Sequence, residues 1–208
     1  VFLPDSRTAG AYFSGAGDHG MMVKTGGVFT LTEPRGFRRV FASTGTLTYI
    51  EDTNGNRITA TYTSGRLTQL THSAGQILTI GYTGSLIQTV ADSMGRTTTF
   101  TYDGGQRLTN AAYFDGTSTS YAYLTGQGAA KEHALSVVTY PGSRQKNFTY
   151  DSRGWLASTY RNGPAETLTF SYDGVGQIGV TDAFAQKTRF HLDHRGLLAR
   201  RKLVRHRP

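Results

Sequence analysis

The most informative absences in this sequence are those of cysteine, proline and long apolar runs. It contains no cysteine, which excludes disulfide bonds and metal sites built on thiolates. Proline occurs only five times, and tryptophan once, at Trp155. No apolar run approaches the roughly 20 residues that a membrane-spanning helix needs. What remains is rich in glycine, tyrosine, phenylalanine and threonine, which is typical of a β protein with many turns.

Most of the chain also lacks an excess of positive charge, although its formal net charge is +8. Six of the 22 basic side chains lie at Arg195 or beyond, where no acidic residue occurs. The first 194 residues therefore hold 16 basic and 14 acidic side chains. No aromatic residue lies among the basic residues of the end, as a stacking platform for nucleic acid would require. We expect a solvated end or the start of a continuation, and nucleic acid is not expected as a partner.

A tyrosine returns along the chain at a nearly fixed interval. The positions are Tyr62, Tyr82, Tyr102, Tyr123, Tyr150 and Tyr172, at intervals of 20, 20, 21, 27 and 22 residues. A fixed period of this kind indicates one supersecondary unit copied in series. Residues that recur with the period build the array, so a functional site is expected among residues that do not recur.

Each tyrosine ends a segment in which apolar and polar residues alternate. Residues 97–102 and 168–172 are two examples. Strict alternation predicts a strand with one half-buried face. The tyrosine shares this face with the residue two positions before it. The residue between them is small or polar, as Thr101 and Ser171 are, and is expected to point the other way.

Turns that contain glycine, most of them with an aspartate, are predicted at both ends of the unit. Those after the tyrosine include 63–65, 103–105, 151–154, 173–176 and 193–196, and those at the opposite end include 52–55, 72–75 and 92–95. Aspartate accepts a hydrogen bond from the backbone two residues on, and glycine takes a positive φ. An apolar anchor then begins the next strand, at Leu67, Leu86, Leu108, Leu156, Ile178 and Leu198. The pattern predicts an all-β meander of antiparallel hairpins without helices.

Three segments are predicted along the chain. Residues 1–27 are rich in glycine, lack the period and form an N-terminal flank. Residues 28–198 form an array of about seven units, with an irregular insertion near 124–139 that is expected to be a loop. Residues 199–208 form a basic tail. Because the chain begins at Val1 rather than methionine, we expect it to be a piece of a longer protein.

These residues resemble the Rhs or YD-repeat family. Tyr-Asp-Ser-Arg-Gly-Trp-Leu at 150–156 is similar to the family's Tyr-Asp-x-x-Gly-x-Leu pattern, and residues 52–62 and 92–103 are similar to the other half of its repeat. The resemblance covers residues 28–198. The sequence departs from the pattern where Thr63, Thr83 and Leu124 replace an aspartate and where Leu192 replaces a tyrosine.

The resemblance implies one long, curved and spiralling sheet of hairpins that forms part of a hollow shell. In bacterial polymorphic toxins and insecticidal toxin complexes, such a shell encloses a C-terminal toxin, and animal teneurins use a related shell for adhesion. It therefore implies a non-enzymatic structural segment of a secreted or cell-surface protein. The implied partners are the rest of the shell and an enclosed toxin or effector. The family's self-cleavage segment is not visible, since no Asp-Pro pair occurs.

The repeat explains the residues that could otherwise suggest chemistry. His191-Leu-Asp-His194 looks like a metal motif, but Asp193 is a turn aspartate and His191 takes an outward slot. Gly15-Ala-Gly17 lacks the following helix of a nucleotide loop. Paired catalytic carboxylates are disfavoured because the aspartates recur at turns, namely Asp52, Asp92, Asp103, Asp151, Asp173 and Asp182.

We therefore predict no catalytic, cofactor-binding or metal-binding residue, and no cofactor. The residues predicted to build the repeat are Tyr62, Tyr82, Tyr102, Asp103, Tyr123, Tyr150, Asp151, Gly154, Tyr172, Asp173 and Gly176. Trp155 is the candidate for an exposed contact, because it occupies a variable position beside the turn.

Two other functions stay open on the sequence. The chain could be an extracellular adhesin or carbohydrate-binding module in which Trp155 and exposed tyrosines contact glycans or a cell-surface protein. An enzyme would need polar residues from 1–27 or 124–139, the segments outside the period. About seven units are also expected to leave a sheet edge open to association.

Overall fold

The computed structural model describes residues 2–14, 19–163 and 166–204. Twenty antiparallel strands are assigned to one sheet, and the described ranges contain no α-helix, which confirms the predicted all-β hairpin architecture. In the same ranges, no helix has the length and apolar character needed to cross a membrane. The chain divides into two compact units, residues 1–99 and 100–208, and strand β11 contributes to both.

The first unit is a series of hairpins with short turns. Its strands are β1 Phe2–Pro4, β2 Ala11–Ser14, β3 Met21–Thr25, β4 Val28–Thr32, β5 Arg38–Phe41, β6 Leu47–Glu51, β7 Arg57–Thr63, β8 Arg66–His72, β9 Ile77–Thr83, β10 Leu86–Asp92 and the first part of β11 Thr97–Tyr102. Each strand hydrogen-bonds to the next in chain order, with β1 next to β2 and β8 between β7 and β9.

The second unit continues with the same connectivity. After the end of β11 come β12 Leu108–Ala112, β13 Ser118–Tyr123, β14 Leu135–Tyr140, β15 Arg144–Tyr150, β16 Leu156–Arg161, β17 Leu168–Gly174, β18 Gln177–Thr181, β19 Lys187–Leu192 and β20 Leu198–Val204. A short 3₁₀ turn at Pro141–Ser143 joins β14 to β15.

Strands also occupy residues that the period did not mark. Strands β1, β2 and β3 lie within the predicted flank 1–27, and β20 extends through the described part of the predicted tail. Within the predicted insertion near 124–139, residues 124–134 join two strands, but 135–140 form β14, which corrects the expected loop. Leu135 is an anchor equivalent to Leu108 and Leu156. It was not predicted, because the long interval between Tyr123 and Tyr150 breaks the period at this point.

A one-residue bulge recurs beside the tyrosine slot in several of the repeat hairpins. Tyr62 is opposite Leu67, but Thr61 is opposite Gln69, so the residue between these two partners is unpaired in the register. The same shift occurs beside Tyr123, Tyr150 and Leu192. In β9–β10, Tyr82 is opposite Ile87, so Ile87 rather than the predicted Leu86 occupies the anchor slot. Such bulges increase the local twist of a sheet and fix its register.

Burial follows the predicted alternation and remains shallow. Thr61, Thr101 and Thr149 are exposed, whereas the tyrosines that follow them are half-buried. Among the described residues, the only buried hydrophobic side chains are Val40, Ala111 and Val138. The hairpins therefore depend on contacts between neighbouring strands more than on a deep core, and their stability is a sum of many small terms.

Candidate functional site

A repeated hydrogen bond joins each of several hairpins to the one before it. The Tyr150 hydroxyl donates to the backbone carbonyl oxygen of Leu135 at 2.8 Å. The same bond joins Tyr82 to Leu67 at 2.8 Å, Tyr123 to Leu108 at 2.9 Å and Tyr172 to Leu156 at 3.0 Å. The acceptor is always the apolar anchor of the preceding hairpin. Tyr62, opposite Leu67, and Tyr102, at the end of β11, occupy the same slot of their strands.

The residue opposite the tyrosine completes this unit. The register of β8 with β9 places Arg66 opposite Tyr82, and its guanidinium carbon lies 5.4 Å from the ring centroid. Arg107 lies 5.8 Å from the ring centroid of Tyr123 in the same relation. We call the tyrosine, its carbonyl acceptor and the residue opposite it a tyrosine rung. A cation over an aromatic face is attractive, so these arginines hold the rings in place.

The sequence reasoning missed these arginines, although a signal for them exists. Arg66 and Arg107 each precede the anchor leucine directly and lie 16 residues before the tyrosine that they cover. In the sequence, such an arginine looks like a solvated turn residue. The register of the neighbouring strands places it opposite the next tyrosine.

Aspartates shape the turns through their carboxylates. Asp103 Oδ1 accepts hydrogen bonds from the backbone N–H groups of Gly105 at 2.8 Å and Arg107 at 3.0 Å. In other turns, the backbone N–H groups two and four positions after an aspartate donate to its Oδ1 in the same way. These aspartates are Asp52, Asp92, Asp151, Asp182 and Asp193. The backbone bond from Arg107, together with its guanidinium, holds the pKa of Asp103 below its ordinary value. These carboxylates are engaged by the backbone of their own turns.

Asp173 differs from the turn role predicted for it. Gly174 pairs with Gln177, so the turn is made by Val175 and Gly176, and Asp173 lies within β17. Its Oδ2 accepts a hydrogen bond from Lys187 Nζ at 3.1 Å, which holds the pKa of Asp173 below its ordinary value. A Val-Gly turn closes the hairpin without an aspartate. Asp173 is therefore free to bind a lysine two strands away.

The lysine reaches Asp173 because the strand between them carries a glycine. Gly179 lies in β18, and a Cβ at this position would come 2.7 Å from Lys187 Cε and 2.3 Å from Ser171 Oγ. Gly179 thus leaves the space through which the lysine stem passes.

Trp155 lies in the second unit directly before β16, beside Tyr172. The rings meet edge to face, with centroids 4.7 Å apart and planes at 67°. The Arg153 guanidinium carbon lies 4.0 Å from the centroid of the indole. Trp155 is 48% exposed and lines a groove of about 440 Å³ with Tyr172, Ile178 and Leu192. The structure thus places the predicted contact residue in an apolar groove.

The loop 124–134 packs against the Asp151 turn. Gly154 has a φ of +80°, and a Cβ there would lie 1.9 Å from the carbonyl oxygen of Ala130. At the other side of the loop, His133 contacts both Glu132 and Arg107. Arg107 also binds Asp103 Oδ2 at 2.7 Å. His133 therefore ties the loop to the Asp103 turn through Arg107.

The His191-Leu-Asp-His194 motif belongs to strand β19 and the turn that follows it. Asp193 Oδ1 accepts the backbone N–H groups of Arg195 and Leu197, at 2.9 and 3.0 Å, and His191 lies within β19. Over the described ranges, no three histidine, cysteine, aspartate or glutamate side chains are grouped as a metal ion would require. Two features of the sequence lie outside the described residues: Gly15 and Gly17 of the glycine-rich segment, and Arg205 and Arg207 of the basic tail.

A buried carboxylate in the first unit was also missed. Glu51 in β6 is 6% exposed and binds Arg57 Nε at 2.8 Å and Arg38 on the opposite neighbouring strand. The hydrogen bonds from Arg38 and then Arg57 hold the pKa of Glu51 below its ordinary value. Arg57 also lies 3.8 Å from the ring centroid of Tyr49. The group fastens β5, β6 and β7 together.

No family model and no curated protein matches the chain. Among solved structures, it is similar to the crystal structure of TcdB2-TccC3-Cdc42, with a TM-score of 0.57 and 14% identity over 92% of this chain and 12% of that chain. It is also similar to TcdB2-TccC3 without its hypervariable C-terminal region, with a TM-score of 0.52 and 12% identity over 91% of this chain and 11% of that one. These are Tc toxin shells of Photorhabdus that contain Rhs repeats.

The chain has an Rhs/YD-repeat-like fold. At this identity the likeness concerns the fold, and this chain spans only 12% and 11% of the length of these neighbours. The tyrosine rungs are the contacts through which this sequence stabilises that fold.

Proposed function

We propose that this chain is a non-enzymatic wall segment of an Rhs shell that encloses a C-terminal toxin or effector of the same protein. The fold carries the proposal. Over 92% of its length the chain follows TcdB2-TccC3, and it corresponds to 12% of that chain. A segment of this size is one part of a larger wall, and its partners are the rest of the shell and the enclosed polypeptide.

The contacts of the strands support a wall. Hydrogen bonds from Tyr82, Tyr123, Tyr150 and Tyr172 fasten each hairpin to its predecessor, so hairpins can be added one after another without a second layer. Few side chains are buried in the described ranges. A sheet of this kind covers a wide area with few buried side chains, which suits a protein that surrounds another polypeptide.

The engagement of the polar residues supports a non-enzymatic role. Asp103 and Asp193 bind backbone N–H groups in their turns, and Asp173 binds Lys187. A general base must be able to approach the proton that it removes, and these carboxylates already accept several hydrogen bonds. Their lowered pKa values also favour the ionised form at neutral pH, which suits a structural acceptor.

Protection of the enclosed polypeptide tests the proposal. The complete reading frame would be expressed, and limited proteolysis would follow its C-terminal region in the intact protein and as an isolated fragment. We expect slow cleavage in the intact protein and rapid cleavage in the fragment. A Tyr150→Ala/Tyr172→Ala variant should speed cleavage, whereas Thr101→Ala/Ala122→Ser, at two exposed slots, should not. Equal cleavage of intact protein and fragment, or a reading frame with no polypeptide after the shell, would rule out encapsulation.

A secreted or cell-surface location belongs to the same proposal. A toxin that is enclosed by its shell must be delivered to another cell, so the shell is expected to leave the cell that makes it. Detection of the full-length protein in the medium or on the cell surface, with a cytoplasmic protein as the control for lysis, would support it.

The exposure of Trp155 favours an adhesin or carbohydrate-binding module as a second candidate. An exposed indole can stack on a sugar ring, but Arg153 already lies 4.0 Å from its centroid. Glycans that bind there should quench the fluorescence of the only tryptophan of this chain. An unchanged signal across a broad glycan panel would exclude this function for Trp155.

A further inference from the structure

One face of the second unit departs from the repeat where strands β19 and β20 meet. In the hairpin of β15 and β16, the slot directly before the tyrosine holds Thr149, which lies opposite Ser158. In the corresponding slots of β19 and β20, His191 lies opposite Arg200. Basic side chains thus replace hydroxyl side chains. Because residues that recur build the array, this replacement marks a place with another role.

Positive charge exceeds negative charge on this face. Arg189 lies opposite Lys202, and like charges directly opposite each other on neighbouring strands repel. Lys187 Nζ lies 3.1 Å from Asp173 Oδ2, whereas Arg189 Nε lies 3.8 Å from the same oxygen. Within the described part of the chain, this Nε is buried and has no hydrogen-bond partner. The face therefore holds a donor and positive charges that its own residues do not satisfy.

The acidic residues at the two ends of β19 are engaged in turns. Asp182 precedes this strand and Asp193 follows it. Asp182 Oδ1 accepts the backbone N–H of Gln186 at 2.8 Å, and Asp193 Oδ1 accepts that of Leu197 at 3.0 Å. Negative charge for the cations of β19 and β20 is therefore left to a ligand.

We propose that this basic face, formed by Lys187, Arg189, Arg200 and Lys202, binds an extended acidic segment of a partner protein that carries a carboxylate at every second residue. Alternate side chains of a strand are about 6.8 Å apart, so the carboxylates of such a segment repeat at the same interval as the cations of β19 and of β20. A guanidinium binds a carboxylate through two parallel hydrogen bonds, and Arg189 Nε can donate one of them. Arg200 and Lys202 are exposed and can reach the same segment.

The composition of the face disfavours nucleic acid as the ligand. Two cross-strand rows run over it, and neither contains phenylalanine, tyrosine or tryptophan: Ser171, Gly179, Arg189 and Lys202 in one row, and Gln177, His191 and Arg200 in the other. Single-stranded nucleic acid needs such rings for the stacking of its bases. The proposal does not rest on the encapsulation of a toxin, because a wall of hairpins continues through the edge of a sheet and leaves this face accessible.

Fluorescence anisotropy of labelled probes tests the proposal. The first probe is an octapeptide in which glutamate alternates with threonine, and the second has glutamine in place of each glutamate. A third has the composition of the first with its glutamates in one block, and the fourth is oligothymidylate. We expect saturable binding of the alternating glutamate peptide that weakens as the salt concentration rises. The block peptide and oligothymidylate should bind more weakly, and the glutamine peptide should not bind.

Two double variants with the same change in net charge locate the binding. Arg189→Gln/Lys202→Gln removes two cations of the face and should weaken binding of the alternating peptide about three- to tenfold. Arg144→Gln/Arg201→Gln is the matched control, because these residues lie opposite Tyr140 and Phe190 on the other face, and it should change the affinity less than about twofold.

The melting temperature separates loss of binding from loss of folding. Because Arg189→Gln/Lys202→Gln relieves repulsion between opposite residues, this variant should melt no lower than the parent. Absence of saturable binding by the parent chain, equal weakening in the two double variants, or binding of the block peptide or oligothymidylate as tight as that of the alternating peptide would overturn the proposal.

Discussion

Tyr150 and Leu135 are joined across neighbouring hairpins by a hydrogen bond of 2.8 Å from the phenolic hydroxyl to the backbone carbonyl. Burial raises the pKa of Tyr150, so the hydroxyl keeps its proton and remains a donor throughout the neutral range. Tyr150→Phe removes this bond and keeps the ring. We expect the free energy of unfolding to fall by about 0.5–1.5 kcal/mol, measured by urea denaturation at pH 7.

Tyr140→Phe is the matched control, because Tyr140 is 41% exposed and lies outside the tyrosine slots. We expect a change within about 0.5 kcal/mol, as for most surface substitutions. Equal losses for both variants would show that the bond to Leu135 contributes nothing specific.

Acid should weaken the turns. The pKa of Asp103 is lowered first by the backbone N–H of Arg107, and that of Asp193 first by the backbone N–H of Leu197. Because the folded-state values lie below those of the unfolded chain, the unfolded chain binds more protons in acid. The stabilisation is complete above about pH 5 and is lost as the pH falls through the folded-state values.

Asp103→Asn separates titration from the shape of the turn, since an amide oxygen can still accept the two backbone hydrogen bonds. We expect the melting temperature of this variant to fall less steeply between pH 5 and pH 3 than that of the parent. Superimposable pH profiles would contradict the role of Asp103.

Gly154 and Gly116 have nearly the same φ, +80° and +81°, but different surroundings. A Cβ at Gly116 meets nothing within 4 Å, whereas one at Gly154 meets the backbone of Ala130. Gly116→Ala should cost about 1–2 kcal/mol from the left-handed conformation alone. Gly154→Ala should cost about 1–3 kcal/mol more, because the loop 124–134 must move.

Chemical denaturation of the two variants measures the difference. Proteolysis within residues 124–134 should also become faster in Gly154→Ala alone. If both variants lose the same stability, the loop does not pack on the turn in solution.

The ion pairs of Glu51 and Glu33 can be compared, because they differ in burial. The Glu51 side chain is 8% exposed and binds two arginines, whereas that of Glu33 is 38% exposed and binds Arg39. Glu51→Gln leaves Arg38 and Arg57 without their shared carboxylate and should lower the melting temperature clearly more than Glu33→Gln. Equal effects would mean that the bridge between β5, β6 and β7 is no stronger than a surface pair.

Strand β20 is expected to resist association through its charges. Among the described strands it pairs with β19, and it carries Arg200, Arg201 and Lys202. Basic residues on an edge strand hinder pairing with another sheet. Replacing the three with threonine should increase the concentration-dependent mass in sedimentation velocity. An unchanged distribution would show that charge does not protect this edge.

The sequence predicted most of the hairpins because period and alternation are local properties. The strands that end at Tyr102, Tyr150 and Leu192 have the predicted ends. Asp103 and Asp151 accept hydrogen bonds from backbone N–H groups four residues on, and a contact of this kind within one turn is also a local property. Strand β14 was not predicted, because the long loop before it shifts its anchor Leu135 out of the 20-residue period.

The contacts between hairpins could not be predicted from the period alone. The bond from Tyr150 to Leu135, the stacking of Arg107 on Tyr123 and the link from Lys187 to Asp173 all depend on the register of neighbouring strands. One-residue bulges set that register, and no residue type marks their position. For the same reason, Leu192 could be recognised as a departure from the repeat, but the groove beside it could not.

Electron cryomicroscopy of the protein from the complete reading frame tests the shell proposal most directly. We expect residues 28–198 to form part of a continuous wall of hairpins around a cavity that contains density for the C-terminal polypeptide. A structure in which these hairpins surround no cavity, or in which the C-terminal polypeptide lies outside the wall, would contradict the account.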